Sequence, residues 1–261
     1  MDIVIQGKIF PNTYETAKCY TTLDFIDKVI ISTWDDETLD SDNENVVVVK
    51  SPVPYTPPMN LNLQLVSFNE GLKHVTSEYT MKFRSDQTVM KSSMKMLKRF
   101  VDKKGFDCDI KYTDGTGPKG KIYAVGMGSH FPYHPQDHIF WGYTEDIKSL
   151  YSCPLYKEGE PITPTWEGGF ETETVRIPCY FGSHYFAKFN SEVYEHIKNY
   201  KDFLLDTSPR RYRAMQISEE LRDKIFGVFP RIKMWWEKYN TGYKYDLYEP
   251  QGEYYYDEEW E

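Results

Sequence analysis

The side chains best placed to do chemistry in this 261-residue chain are Lys82, Arg84 and Asp86. They sit two apart in the stretch Tyr79–Asp86, YTMKFRSD. Strand alternation sets Tyr79, Met81, Phe83 and Ser85 on one face and Thr80, Lys82, Arg84 and Asp86 on the other. One face can enter a core while the other presents two cations and an acid along one line. Ligands of open α/β sheets bind outside the carboxyl ends of the strands. A strand ending in Arg-Ser-Asp therefore suits a metal ion and a phosphorylated ligand. Alone, such an octamer is more commonly a strand running into a solvated turn, so its surroundings have to decide.

A second set of acids follows in Asp137-His138-Ile139-Phe140-Trp141-Gly142-Tyr143-Thr144-Glu145-Asp146. A short apolar strand passes through Trp-Gly into a helix start with Thr144 as N-cap. The helix macrodipole favours acids in a first turn, which accounts for Glu145 and Asp146 without any function. The same geometry can hold a carboxylate at a cleft edge, where it accepts a proton from an acceptor hydroxyl. Asp137, Glu145 and Asp146 are the candidates for that task. His130, His134 and His138 with Asp137 invite a metal reading; Pro132 and Pro135 prevent a helix that would align the histidines, although an irregular loop could gather two of them. Gly115–Gly120 matches G-x-G-x-x-G, yet a strand rather than a helix follows it and Pro118 removes an amide. That loop reads as a hairpin turn and not as a phosphate cradle. Ser208–Arg213, SPRRYR, is a basic cluster that could hold a phosphate or an anionic glycan, but such clusters more often belong to a solvated surface.

These residues need a scaffold, and the pattern around them supplies one. Ile3–Ile5 reads as a first strand. A helix follows, opened by Asn12 and Glu15 as a capping box and running to Leu23 or Phe25. Lys28–Thr33 is a second strand, which makes a βαβ unit and hence a parallel sheet. Val46–Lys50 is a β-branched run of the sort buried on both faces. After the proline-rich connector Ser51–Pro58, Leu61, Leu65, Phe68 and Leu72 recur at helical spacing, with Gly71 as the stop. Met90, Met94, Leu97 and Val101 form the core stripe of another helix that ends at Gly105. Beyond it the pattern becomes more β-rich, with a hairpin expected from DIKY and KIYAVG. Helices are expected over 144–151, 191–200 and 218–226. The boundary near residue 106 divides one domain, 1–261, into halves 1–105 and 106–261.

Composition excludes some roles. A net charge of −9 lacks the basic footprint that nucleic-acid binding requires. Residues 243–261 hold seven carboxylates against one lysine in an aromatic, acidic tail. No run approaches the length of a membrane span, and Met1 leads into the apolar IVI run without a basic leader. Four scattered cysteines without a C-x-x-C pair fit neither zinc nor a disulfide framework. A protein of the reducing cytoplasm is expected.

Four stretches in register carry a resemblance. They are DIVIQGKI (Asp2–Ile9), VIISTW (Val29–Trp34), NLNLQLVSFNEGL (Asn60–Leu72) and YTMKFRSD. Together they resemble the WavE-type proteins of lipopolysaccharide synthesis, a glycosyltransferase family, and Asp137–Gly142 resembles that family's Asp–aromatic–Gly block. The resemblance implies a GT-A-like α/β fold, with a Rossmann-like N-terminal nucleotide-binding half, a mixed sheet and a less regular acceptor half. It implies a nucleotide-sugar donor, with Gln6, Gly7, Thr33 and Asp36 near the nucleotide. Asn62 and Gln64 would begin a helix facing the donor. Lys82 and Arg84 would lie at the diphosphate, and Asp86 would bind Mn2+ or Mg2+. The acceptor would be a glycan or a lipid-linked glycan, with Asp146 resembling the helix-start acid of inverting enzymes and Asp137 its rival.

The chain departs from the usual Asp-x-Asp pattern of GT-A-like enzymes, because Arg84 stands at the first acidic position. One carboxylate makes a weaker metal site, and Arg84 with Lys82 is the alternative source of positive charge. A non-catalytic sugar- or nucleotide-binding protein is therefore a second reading. A nucleotidyltransferase is a third, but it expects a glycine-rich basic loop that the short Gln6-Gly7-Lys8 turn supplies poorly.

Overall fold

A computed structural model of the chain describes residues 1–56, 60–127, 132–157, 165–167, 170–172, 177–198, 209–229 and 236–238. In its first part β1 (Asp2–Gln6), α1 (Thr13–Tyr20), β2 (Lys28–Trp34), β3 (Val46–Ser51), α2 (Leu61–Leu72) and β4 (Tyr79–Arg84) alternate as expected. There follow β5 (Gln87–Val89), α3 (Lys91–Lys104), β6 (Ile122–Val125), β7 (Phe140–Tyr143) and α4 (Thr144–Leu150). The remaining elements are β8 (Thr165–Glu167), β9 (Phe170–Thr172), α5 (Ile177–Phe186), α6 (Glu192–Lys198), α7 (Pro209–Ile225), β10 (Phe226–Phe229) and β11 (Trp236–Lys238).

The main sheet has seven strands in the order β10-β6-β7-β4-β1-β2-β3. The order β4-β1-β2-β3, read from its far edge, is the 3-2-1-4 of a doubly wound half. Every pairing in that half is parallel. β7 alone runs the other way, antiparallel to both β4 and β6. The Rossmann-like half and the mixed sheet expected of a GT-A-like chain are both present.

Helices cover both faces. α1 and α3 bury Ala17, Tyr20, Met94, Leu97 and Val101 against Ile3, Ile5, Val29, Met81 and Phe83. On the other face α2, α4, α5 and α7 bury Leu65, Phe68, Ile147, Phe181 and Ile217 against Val4, Ile30 and Phe140. Alternation along β4 holds, but burial occurs on both sides: Met81 and Phe83 enter one core, and Lys82 is 0% exposed on the other face.

Several expectations are corrected. Gly71 does not stop α2 but lies within it, where a Cβ would come within 2.6 Å of Val4 Cγ1 and 3.0 Å of Ser32 Cβ. Its role is close helix–sheet approach. Asn12 makes no capping bond, and its Nδ2 donates instead to Thr88 Oγ1 at 2.8 Å. α1 also ends at Tyr20, short of Leu23. Met90 is the exposed residue before α3 and not part of its core stripe. The hairpin expected around Gly115–Gly120 does not form, because the Lys119 and Gly120 amides go to the Asp146 carboxylate at 3.1 and 2.9 Å. α7 begins at Pro209, nine residues before Ser218, since proline suits a first helical turn. Its Arg213 pairs with Glu192 at 3.0 Å. His130, Ser208 and the tail 243–261 lie outside the described residues. Among the described residues no helix is long and apolar enough to cross a membrane.

Candidate functional site

The carboxyl ends of β1 and β4 meet at a tight backbone junction. Ser85 N donates to Gln6 O at 2.8 Å, and Gly7 N donates to Ser32 O at 3.0 Å. Gly7 has φ +120°, and a Cβ there would lie 2.7 Å from Ser85 Oγ, so only glycine lets the two turns approach. Gln6 is buried and its Oε1 accepts from Ser67 Oγ of α2 at 3.2 Å.

Arg84 organises the polar cluster beside this junction. Its Nε and Nη2 donate to the two oxygens of Asp86 at 3.0 and 2.8 Å, a two-pronged pairing. Its Nη1 donates to Asp137 Oδ2 at 3.0 Å, and Gln64 Nε2 donates to the same oxygen at 2.8 Å. The Gln64 Oε1 is buried with no hydrogen-bond partner among the described residues. Burial opposes the charge on Arg84, but Asp137 and Asp86 more than restore it, so the guanidinium is held firmly protonated. Burial alone would raise the Asp137 carboxyl. Arg84, His138 and Lys82 outweigh it, and with the Gln64 bond they hold that carboxyl well below the usual carboxylate range.

Lys82 lies beneath this layer. Its Nζ donates to the Asp137 carbonyl oxygen and stands 5.9 Å from the ring centroids of both Phe140 and Tyr151. Burial pushes its pKa down to about 7, against the pull of Asp137. In the unfolded chain the ammonium keeps its proton up to about pH 10.4. Between these values the unfolded state binds the extra proton, so the Lys82 contribution to stability rises with pH from about 7 to about 10. Lys82→Met should remove that rise, up to about 1.4 kcal/mol per pH unit. Urea unfolding of both proteins at intervals from pH 7 to 10 measures it. Parallel pH profiles would show that Lys82 titrates normally.

The antiparallel β7 decides which acids join the cluster. Asp137 enters at the β4 carboxyl end, because Phe140 pairs with Lys82, whereas Tyr143 pairs with Tyr79 at the amino end. Glu145 and Asp146 therefore stand at the opposite edge of the sheet from Arg84. Glu145 is exposed and pairs with Lys148 at 3.0 Å. Asp146 is buried, and burial raises its pKa in spite of its two amide bonds. Asn62 is also occupied: it bonds the backbone of Tyr55 at 3.0 Å and of Tyr156 twice at 2.8 Å, stapling two loops. Thr33 is buried at the end of β2, with its hydroxyl lacking a partner among the described residues, while Asp36 is exposed beyond that strand.

Some residues of the site are missed by sequence reasoning. Ser67 carries a small polar residue in the middle of an apolar helix face, the one signal that could have found it. Tyr151, wholly buried with a hydroxyl that has no partner among the described residues, looks like an ordinary helix-end aromatic.

The donor set fits a divalent ion poorly. Both oxygens of Asp86 are taken by Arg84, and one oxygen of Asp137 is taken twice. Among the described residues no group of three His, Cys, Asp or Glu side chains could hold a metal. A cavity of about 430 Å³ opens elsewhere, at the amino end of β6, lined by Asp109, Ile110, Lys121, Asp223 and Lys224.

The family model described as WavE lipopolysaccharide synthesis matches residues 3–174. The chain belongs to that family. The WavE match takes in Gln6, Gln64, Lys82, Arg84, Asp86 and Asp137 together. No curated protein matches the sequence. Among solved structures, S. aureus TarS 1–349 is similar at a TM-score of 0.42 and 14% identity, over 85% of this chain and 71% of that one. Full-length S. aureus TarS has the same score and identity, over 85% of this chain and 42% of that one. The glycosyltransferase GlyE of Streptococcus pneumoniae TIGR4 is similar at 0.34 and 8% identity, over 89% of this chain and 45% of that one. This chain thus spans less than half the length of full-length TarS and of GlyE.

Proposed function

We propose that this WavE-family chain is a glycosyltransferase that moves a sugar from a nucleotide-sugar donor to a glycan or lipid-linked glycan acceptor. The observation that carries the reading is the convergence of Gln6-Gly7, Gln64, Arg84 and Asp137 on the carboxyl edge of the parallel strands, where ligands of such sheets bind. In this reading the nucleoside lies over the ends of β1 and β2, near Gln6, Gly7 and Thr33. The diphosphate faces Arg84, a fork suited to phosphate oxygens. As the sugar leaves, negative charge grows on the departing diphosphate, and a fixed cation at that point lowers the barrier. Asp137 and Asp86 act here as positioning residues for Arg84, and a carboxyl held so far below its usual range is a weak proton acceptor. Asn62 serves the site indirectly, by holding two loops, while Asp146 holds the Lys119-Gly120 backbone at the other edge of the sheet.

The test is a thermal-shift panel of UDP, GDP, CDP, ADP and dTDP, with the corresponding triphosphates. One nucleoside diphosphate at about a hundred times its dissociation constant should stabilise the chain by about 2.7 kcal/mol. For a chain of this size that is a rise in Tm of roughly 5–10 °C. Preference for a triphosphate would favour a nucleotidyltransferase. Silence across the panel would sink the donor-site reading.

A further inference from the structure

Arg84 has five N–H donors. Three are spent on Asp86 and Asp137, which leaves two without a partner among the described residues, on a side chain that remains 24% exposed. Two carboxylates from different loops thus hold one guanidinium in a single orientation, with donors to spare. A preset fork of this kind needs no reorganisation to meet a phosphate. A divalent ion would need the same Asp86 oxygens, and binding it would mean expelling Arg84 from between two acids. It would also place a double positive charge beside the displaced guanidinium, which the two carboxylates anchor within the cluster.

We propose that Arg84, clamped by Asp86 and Asp137, is the resident cation of the donor-diphosphate site, and that the site binds a nucleoside diphosphate without a divalent metal. The proposal rests on the donor-site reading above and adds to it how the charge is met. Asp86 becomes the clamp of the arginine and not a metal ligand.

The probe is whichever of UDP, GDP, CDP, ADP and dTDP binds the chain, titrated calorimetrically in excess EDTA and again in manganese. The expected dissociation constants agree to within about tenfold. A larger gain in manganese overturns the proposal while leaving the donor site intact. No binding under either condition overturns both. Two variants keep the role of Arg84 falsifiable. Arg84→Lys retains a charge but loses the fork, and should weaken nucleotide binding by about 10-fold or more in EDTA. Arg84→Asp sets a third acid beside Asp86 and Asp137. Manganese alone should raise its Tm by several degrees and leave the wild-type Tm unmoved, roughly as mass action predicts for a new ion site. A wild type that manganese stabilises as strongly as Arg84→Asp would refute the clamp.

Discussion

Asp137→Ala lowers the stability of the chain by about 3–5 kcal/mol, the cost of breaking a buried charge pair by removing one partner. For a chain of this length that is a fall in Tm of roughly 10 °C. The side chain is 11% exposed and serves Arg84 and Gln64 through one oxygen. Alanine leaves the guanidinium compensated by Asp86 alone, and removes the carboxylate that most favours the charged form of buried Lys82. Asp137→Asn keeps the shape and loses the charge, so it should fall between the two. It should also alter the acid limb of stability. A carboxyl held below its unfolded value near 3.9 adds stability above that pH, and loses it as the pH falls towards the folded value. The asparagine variant should therefore lose less stability than wild type when the pH is taken from about 5 to about 2. Calorimetric melting at neutral and acid pH checks both statements. An Asp137→Ala protein that melts with wild type would show that the pairing with Arg84 carries no structural weight.

The second large effect comes from a residue that touches none of the cluster. Gly182 lies in α5, where a Cβ would stand 2.0 Å from the Tyr133 carbonyl oxygen and 2.7 Å from Pro135 Cδ. Neither atom can retreat easily. Tyr133 sits at φ +56°, its amide donates to Ser218 Oγ at 2.9 Å, and its hydroxyl pairs with His196 Nδ1 at 2.8 Å. Gly182→Ala should therefore cost about 1–3 kcal/mol or more through overpacking. It should also displace the segment 133–138, and with it Asp137. The expected result is a lower Tm together with weaker nucleoside diphosphate binding, measured by melting and by titration. A variant that melts low but binds normally would separate the α5 contact from the site.

These two effects mark where sequence reasoning succeeds and where it stops. The βα alternation of the first half is legible because each element carries its own period: β3 opens on four β-branched residues, Val46–Val49, and Leu61, Leu65, Phe68 and Leu72 repeat at helical spacing. The face assignment of Lys82 is legible for the same reason. Its burial is not, because the cover comes from Phe140 and Tyr151, far along the chain. Arg84 and Asp137 both stand out as residue types, yet 53 positions separate them and no local rule joins them. Asp146 shows the reverse case. An acid at a helix start is readable, but which edge of the sheet it occupies depends on the direction of β7. Gly71 and Gly120 look like punctuation in the sequence, and both are places where other atoms come close.

The reversal of β7 makes that strand a gauge. Its far end is fastened where Thr144 N and Oγ1 donate to the carbonyls of Glu78 and Ser77 at 2.8 and 2.7 Å. Its near end leads to Asp137, fastened by Arg84 and Lys82. The distance between the two fastenings equals a fixed run of chain, at about 3.4 Å per residue. Inserting or deleting one residue within Phe140–Tyr143 would both shift Asp137 along the sheet and turn it to the wrong face. The number of residues in that strand is therefore as fixed as the two fastenings themselves.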